Sequence, residues 1–223
     1  MARKTILGLT WLSLVIYSIG FTIYGVKTFP PGAFERDLDL IINMSVLEWE
    51  GINPIIIAIF YIMGIFPLVY GAFILFDSDQ KVSPYPFFIT SFGLGAFTLL
   101  PYFVLRQPNT SWNKQKGWLL KVLDSRLTAI ASSIAIIVFI VWGITQGSWS
   151  DFIAQRQTSQ FINVMSLDFC LLCFLLPVTI LKDDMIRRGI KEQKFFWLAA
   201  IFPLFGSLFY WCVRPQLKSS SDL

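Results

Sequence analysis

Histidine is absent from the whole chain of 223 residues. That removes imidazole at once as haem ligand, zinc ligand, general base and magnesium ligand for a chlorophyll. No other set of side chains clusters for metal work, so no metal and no cofactor is expected. Charge is scarce as well: 14% of residues are Asp, Glu, Lys or Arg, where a soluble domain carries about 25%. With no basic run interleaved with aromatics, nucleic acid is not an expected partner. Three cysteines are no disulfide framework. Catalytic signatures are missing too, with no G-x-S-x-G, H-E-x-x-H, Walker loop or dinucleotide fingerprint, and no enzyme is called for.

What the chain has in abundance is apolar length. Hydrophobic residues make up 55% and aromatic residues 17%, gathered into blocks at 6–26, 54–76, 86–105, 128–146, 162–181 and 195–213. Each is long enough to cross about 30 Å of hydrocarbon as a helix. The fold class expected is therefore all-α, an integral membrane bundle of about six transmembrane helices with the lipid bilayer as first partner. The block after Arg3 and Lys4 exceeds a signal peptide's apolar region and has no small-x-small cleavage site, so it reads as a retained span.

Two halves look alike. Asn53 precedes Pro67 by fourteen positions, and Asn163 precedes Pro177 by fourteen. Each stretch leads into an acidic loop, Asp77/Asp79 in one half and Asp183/Asp184 in the other. The third and sixth blocks end on "PYFVLRQP" and "FYWCVRP", reaching Arg106 and Arg214. The expected organisation is a three-helix membrane repeat over 1–107, a basic amphipathic connection over 108–125 and a second repeat with a short tail over 126–223. Three crossings per unit would invert the second unit, as in many secondary transporters.

The loops carry their own pattern. Phe34, Leu38, Ile41, Ile42 and Ser45 fall at helical spacing in an acidic stretch, which predicts a short helix along the interface. Trp118, Leu119, Val122 and Leu123 form an apolar stripe in the basic connection. Counted over six alternating crossings, Lys and Arg place the basic loops on the cytoplasmic or stromal face and both termini opposite, although Arg3 and Lys4 argue against this.

Asp168, in "SLDFCLLCFLLP", is the acid well inside a span, and no Lys or Arg accompanies it. A carboxylate in hydrocarbon costs about 2.5–3.5 kcal/mol on insertion scales, so it must face a cavity, a partner or a hydrogen bond. Proton or cation coupling is one reading, and a hydrogen bond across helices is the other. Asn163 and Asn53 are candidates for the same polar network. Cys170 and Cys173, mid-span in apolar surroundings, read as packing. Pro67 and Pro177 read as helix kinks. Ser91, Gly93 and Gly95 read as a close-packing surface. Arg106, Arg214, Arg187 and Arg188 read as lipid or interface anchors at helix ends.

The stretches "FINVMSLDFCLLCFLLP", "DDMIRRG" and "PLFGSLFYWCVRP" resemble a family of uncharacterised multi-pass membrane proteins of cyanobacteria and plastids. The shared pattern falls on Asp168 and Phe169, Arg188 and Gly189, and Tyr210, Arg214 and Pro215, with "GAFTLLPYFVLR" as an echo in the first half. The resemblance implies a location, a thylakoid or plasma membrane of a photosynthetic organism, and no activity. Together with the short loops and apolar surface, it favours a non-enzymatic accessory or assembly protein docked on a larger membrane complex. The alternative is a small transporter or channel using Asp168. A cavity reaching Asp168 would tell them apart.

Overall fold

The computed structural model describes residues 2–77, 79–112 and 114–217, so the last residues of the tail lie outside the described residues. Those residues form helices and no strands, and five of the helices are long and apolar enough to cross a membrane. The all-helical membrane bundle expected from the apolar blocks is what folds.

Chain order starts with α1 (Ala2–Thr28), α2 (Ala33–Ser45) and α3 (Pro54–Ile74). Asn53 caps α3 by accepting from Ile55 N at 3.0 Å, and Pro54 supplies the fixed φ that suits a first helical position. Next comes α4 (Pro84–Leu105), then α5 (Trp118–Leu123), α6 (Arg126–Gln146), α7 (Trp149–Thr158) and α8 (Gln160–Thr179). The chain closes with α9 (Leu181–Arg187), α10 (Lys194–Ile201) and α11 (Pro203–Val213). Helix α2 occupies the interfacial stretch that the apolar spacing predicted. In α5, Leu120 and Leu123 face inward while Trp118 and Val122 are exposed, so the predicted stripe is rotated.

Two of the six apolar blocks do not cross. Within α4, Gly95 adopts φ 44 and ψ −122, outside helical geometry, and the chain turns back on itself. Phe87 and Tyr102 would be about 22 Å apart along a straight helix, yet their ring centroids are 5.4 Å apart. The Thr90 and Thr98 hydroxyls are 2.7 Å apart, and Gln80 and Gln107 exchange two hydrogen bonds of 2.7 Å. Helices α10 and α11 fold back in the same way about Phe202. The Phe195 ring lies 6.4 Å from Phe209 and 6.2 Å from Tyr210. A Cβ on Gly206 would run into the Leu198 carbonyl, so glycine is what lets these arms touch.

The bundle therefore has four crossings, α1, α3, α6 and α8, and two re-entrant helical hairpins. Contacts along the helices give the directions. Helix α1 runs antiparallel to α8, with Arg3 bonded to the Thr179 carbonyl and Tyr17 to Asn163. Helix α3 runs parallel to α8, as the Phe60–Phe161 and Phe66–Phe169 ring pairs require. It runs antiparallel to α6, with Asn53 bonded to the Ser148 carbonyl at one end and Tyr61 stacked on Phe139 further along. Each half is thus down, up and hairpin, and two crossings per half leave the second unit parallel to the first. The expected inversion falls away because it rested on three crossings per unit.

Sidedness changes with it. Both ends of the described chain lie on one face, with the loops at 75–83, 106–125 and 180–193. Of the described Lys and Arg, only Lys27, Arg36 and Arg156 lie on the other face. The positive-inside rule now agrees with Arg3 and Lys4 and assigns the basic face, termini included, to the cytoplasmic side. Single cysteines at the exposed positions Lys81 and Lys121 test this. An impermeant thiol reagent should label both from the same face, whereas a membrane-crossing α4 would separate them.

Candidate functional site

The base of the two hairpins is a buried ion-pair lattice. Asp77 follows α3 and accepts from Tyr102 at 2.8 Å and from Arg106 Nε at 2.6 Å. Asp184, in α9, accepts from Tyr210 at 2.8 Å and from Arg214 Nη1 at 2.9 Å. These triads stand 107 or 108 residues apart and have the same chemistry. They are also crossed between the halves. Arg106 Nη1 donates to the Thr179 carbonyl at the end of α8, and Arg214 Nη2 donates to the Ala72 carbonyl at the end of α3. Each hairpin arginine thus closes the C-terminal end of the other half's second crossing, where carbonyls lack helical partners.

Arg106 reaches further, to Asp183 at 2.6 Å, and Arg187 bridges Asp77 and the Asn109 carbonyl. Arg188 joins Asp184 to Asp124, and Lys116 binds Asp124 at 2.7 Å. Arg106 is 1% exposed, and the side chains of Arg187, Arg188 and Arg214 are equally withdrawn. The four arginines read as lipid anchors turn inward instead, because Asp77, Asp124, Asp183 and Asp184 stand within ion-pairing distance behind the helix ends.

The tip of the first hairpin is a different environment. Turning back at Gly95 frees the amide of Ala96, the first residue of the returning arm. Asp168 Oδ1 accepts that amide at 2.7 Å, so α8 supplies the N-terminal carboxylate the half-helix needs. A Cβ on Gly95 would collide with the same carboxylate, and φ 44 already disfavours any other residue there. Trp11 holds the next carbonyl, donating to Phe97 O at 2.9 Å. The Ser91–Gly95 segment is a hairpin tip and not the helix-packing surface its small residues suggested.

Because the hairpin stops part-way, a cavity of about 900 Å³ lies beyond it, between the tip, α2, α3 and α8. Phe34, Leu38 and Ile41 of α2, Phe60 and Met63 of α3, and Phe161 and Met165 of α8 make its wall largely apolar. Asp168 lies at its inner end, 5% exposed, and Asp37 on its outer side. Asp37 docks α2 onto the start of α8, accepting from Ser159 Oγ at 2.6 Å and Phe161 N at 2.9 Å. Among the described residues Asp168 makes no hydrogen bond through Oδ2.

Asn53 and Asn163 do not join Asp168. Asn53 Nδ2 ties α3 to the Ser148 carbonyl and to Asp151, both at 2.8 Å, while Asn163 holds Tyr17 and the Arg156 carbonyl. Their matched spacing hides different jobs, one a helix cap and one an interhelix tie. Pro67 and Pro177 are buried inside α3 and α8, which run on through them, and the breaks come at Gly95 and Phe202. Cys170 and Cys173 are free thiols facing a separate apolar cavity of about 420 Å³. No group of His, Cys, Asp and Glu among the described residues is placed to hold a metal ion.

Sequence reasoning missed Asp37, Asp77, Asp124 and Tyr102 as structural partners. The signal was present for two of them: Tyr102 and Arg106 repeat the Tyr-x-x-x-Arg of Tyr210 and Arg214, and an aspartate opens the loop before each hairpin. Comparison with protein-family models, with curated proteins and with solved structures finds no match to the chain.

Two measurements test the lattice. Arg106→Ala leaves Asp183 without its cation and Asp77 with Arg187 alone, and should cost about 3–5 kcal/mol, read as a fall in the thermal midpoint of the detergent-solubilised protein. The second is pH. Burial pushes the Asp184 carboxyl up, but Arg214, Arg188 and Arg187 outweigh it and hold it at about 2, below its usual 3.8. A carboxylate depressed on folding stabilises the folded chain above its unfolded value and loses that contribution as pH falls through the folded one. The midpoint should therefore fall between about pH 4 and pH 2, and Asp184→Asn should flatten that part of the profile.

Proposed function

We propose that the protein is a small membrane transporter in which Asp168 is the binding group and the hairpin lattice is the cytoplasmic closure. The observation that carries this reading is the cavity beyond the first hairpin, which reaches from the non-cytoplasmic side to a carboxylate oxygen without a protein partner. Intramembrane acids that face a cavity mark substrate or ion pathways, and hairpins ending within the bilayer place half-helix termini at such sites. On the other side the path is shut by Asp77, Arg106, Asp183 and Arg187. The arrangement is that of a vestibule open to one face.

A second reading keeps the protein as a non-enzymatic accessory or assembly factor on a larger complex of a photosynthetic membrane. What favours it is α1, whose Ile6, Leu9, Leu12, Ile16, Ile19 and Ile23 are all exposed. A bilayer covers such a flank as well as a partner does, so this observation discriminates less than the cavity.

Site-directed accessibility separates the two. Gly64 faces the cavity with open space around its Cα, so Gly64→Cys in a background lacking Cys170, Cys173 and Cys212 reports on the vestibule. A transporter exposes this cysteine to a cationic thiol reagent from the non-cytoplasmic face rapidly and from the cytoplasmic face more slowly. Modification from one face alone, over hours, would remove the transport reading.

A further inference from the structure

We infer that the cavity beyond the first hairpin takes a lipophilic cation, a single-chain molecule with an ammonium head seated against Asp168. This names a substrate class for the site on which the transport reading rests. Three observations lead there. The cavity of about 900 Å³ has the size of a small-molecule site, within the usual range of roughly 300–1,000 Å³. Its walls are aliphatic and aromatic over most of their area, supplied by α2, α3 and α8, which suits a hydrocarbon chain and not a hydrated ion. Its charged groups are acids alone: Asp168 at the inner end and Asp37 on the outer side, with no Lys or Arg in the lining.

The carboxylates differ in what they have left to give. Asp37 uses both oxygens on Ser159 and Phe161. Asp168 uses Oδ1 on Ala96, and its Oδ2 makes no hydrogen bond. A donor bearing positive charge fills that place, since an ion pair with hydrogen bonding is what makes a buried carboxylate tolerable. A fatty acid would bring a second negative charge to an acidic pocket. A neutral alcohol would fill the oxygen's hydrogen bond and leave its charge unpaired. Sidedness agrees, because the face on which the cavity opens carries Glu35, Asp39, Glu48 and Glu50 around α2 and few cations.

The test uses the full chain in phosphatidylcholine nanodiscs and three diazirine-tagged probes of equal chain length: a hexadecyl amine, the corresponding alcohol and the corresponding acid. The amine should crosslink saturably to peptides holding Phe161, Met165 or Ser91, be displaced by unlabelled amine, and exceed the other two at this place. Asp168→Asn keeps an oxygen for the Ala96 amide while removing the charge, and should weaken capture about tenfold. Gly64→Trp fills the cavity and leaves Asp168 untouched, so it should abolish capture even where Asp168→Asn fails to fold. Equal labelling by all three head groups, or capture indifferent to both variants, would show bulk lipid filling the space and overturn the proposal. Amine capture with one-sided access at Gly64→Cys would sink transport and leave the cation site standing. Two-sided access without amine preference would do the reverse.

Discussion

Everything in this bundle hangs on how two apolar hairpins are kept from sliding out of the membrane. A helix pair that enters and leaves by the same face has no loop on the far side to hold it, so its base must be fastened. The chain fastens each base with an aspartate, a tyrosine and an arginine, and then lets each arginine close a helix end in the other half. Buried ion pairs add little stability relative to apolar packing, but breaking one partner is costly. Such a lattice therefore selects one arrangement over its neighbours. Because the donors cross between halves, each hairpin's arginine has its full set of acceptors only with the other half's second crossing beside it.

The same constraint creates the space. A hairpin held at its base reaches only as deep as its arms allow, and arms of about eleven residues rise about 16 Å, roughly half of the 30 Å of hydrocarbon. Beyond its tip the half-helix presents unsatisfied amides, which in hydrocarbon cost several kcal/mol apiece. Asp168 meets the first of them at Ala96. A single carboxylate thus does structural work through one oxygen and leaves the other toward the cavity, so the coupling and hydrogen-bond readings of Asp168 are not exclusive. The amphipathic α2 then roofs the cavity, docked through Asp37 and the buried Met44, while Leu38 and Ile42 stay exposed.

Much of this was legible in the residues and some was not. Apolar block length determined the helical class, and the spacing in 34–45 located α2. The paired endings at Arg106 and Arg214 were visible as a match, but their direction was not: an arginine at a helix end is written the same whether it meets phosphate or a buried aspartate. The hairpins were hidden for a similar reason. A block of twenty apolar residues satisfies the length rule for crossing, and a glycine or proline at its middle does not mark one that turns back, since α3 carries Gly64 and Pro67 and crosses. Gly95 sits in a G-x-G that also suits close packing, and Pro203 with Gly206 resembles an ordinary kink. Counting Lys and Arg over six crossings gave a conflict with Arg3 and Lys4, and that conflict was itself the trace of the two missing crossings.

The halves are matched at their bases and unlike at their tips, and the difference falls on Asp168. The Asn and Pro landmarks pair Asp168 of α8 with Ala58 of α3. Ala58 packs on α6 at Gly143, where an added Cβ would come within 2.8 Å of the Ala58 methyl. That contact brings α3 and α6 together closely and leaves no room for a carboxylate, and the second hairpin's tip, at Leu204 and Phe205, borders an apolar cavity shared with Ile59 and Ile140. One half spends position 58 on packing and keeps the bundle tight. The other spends position 168 on an acid and keeps a cavity open beside it. The base lattice is common to both halves, so this position is where they part: a close seam at Ala58 and Gly143 in one, a carboxylate on the Ala96 amide in the other.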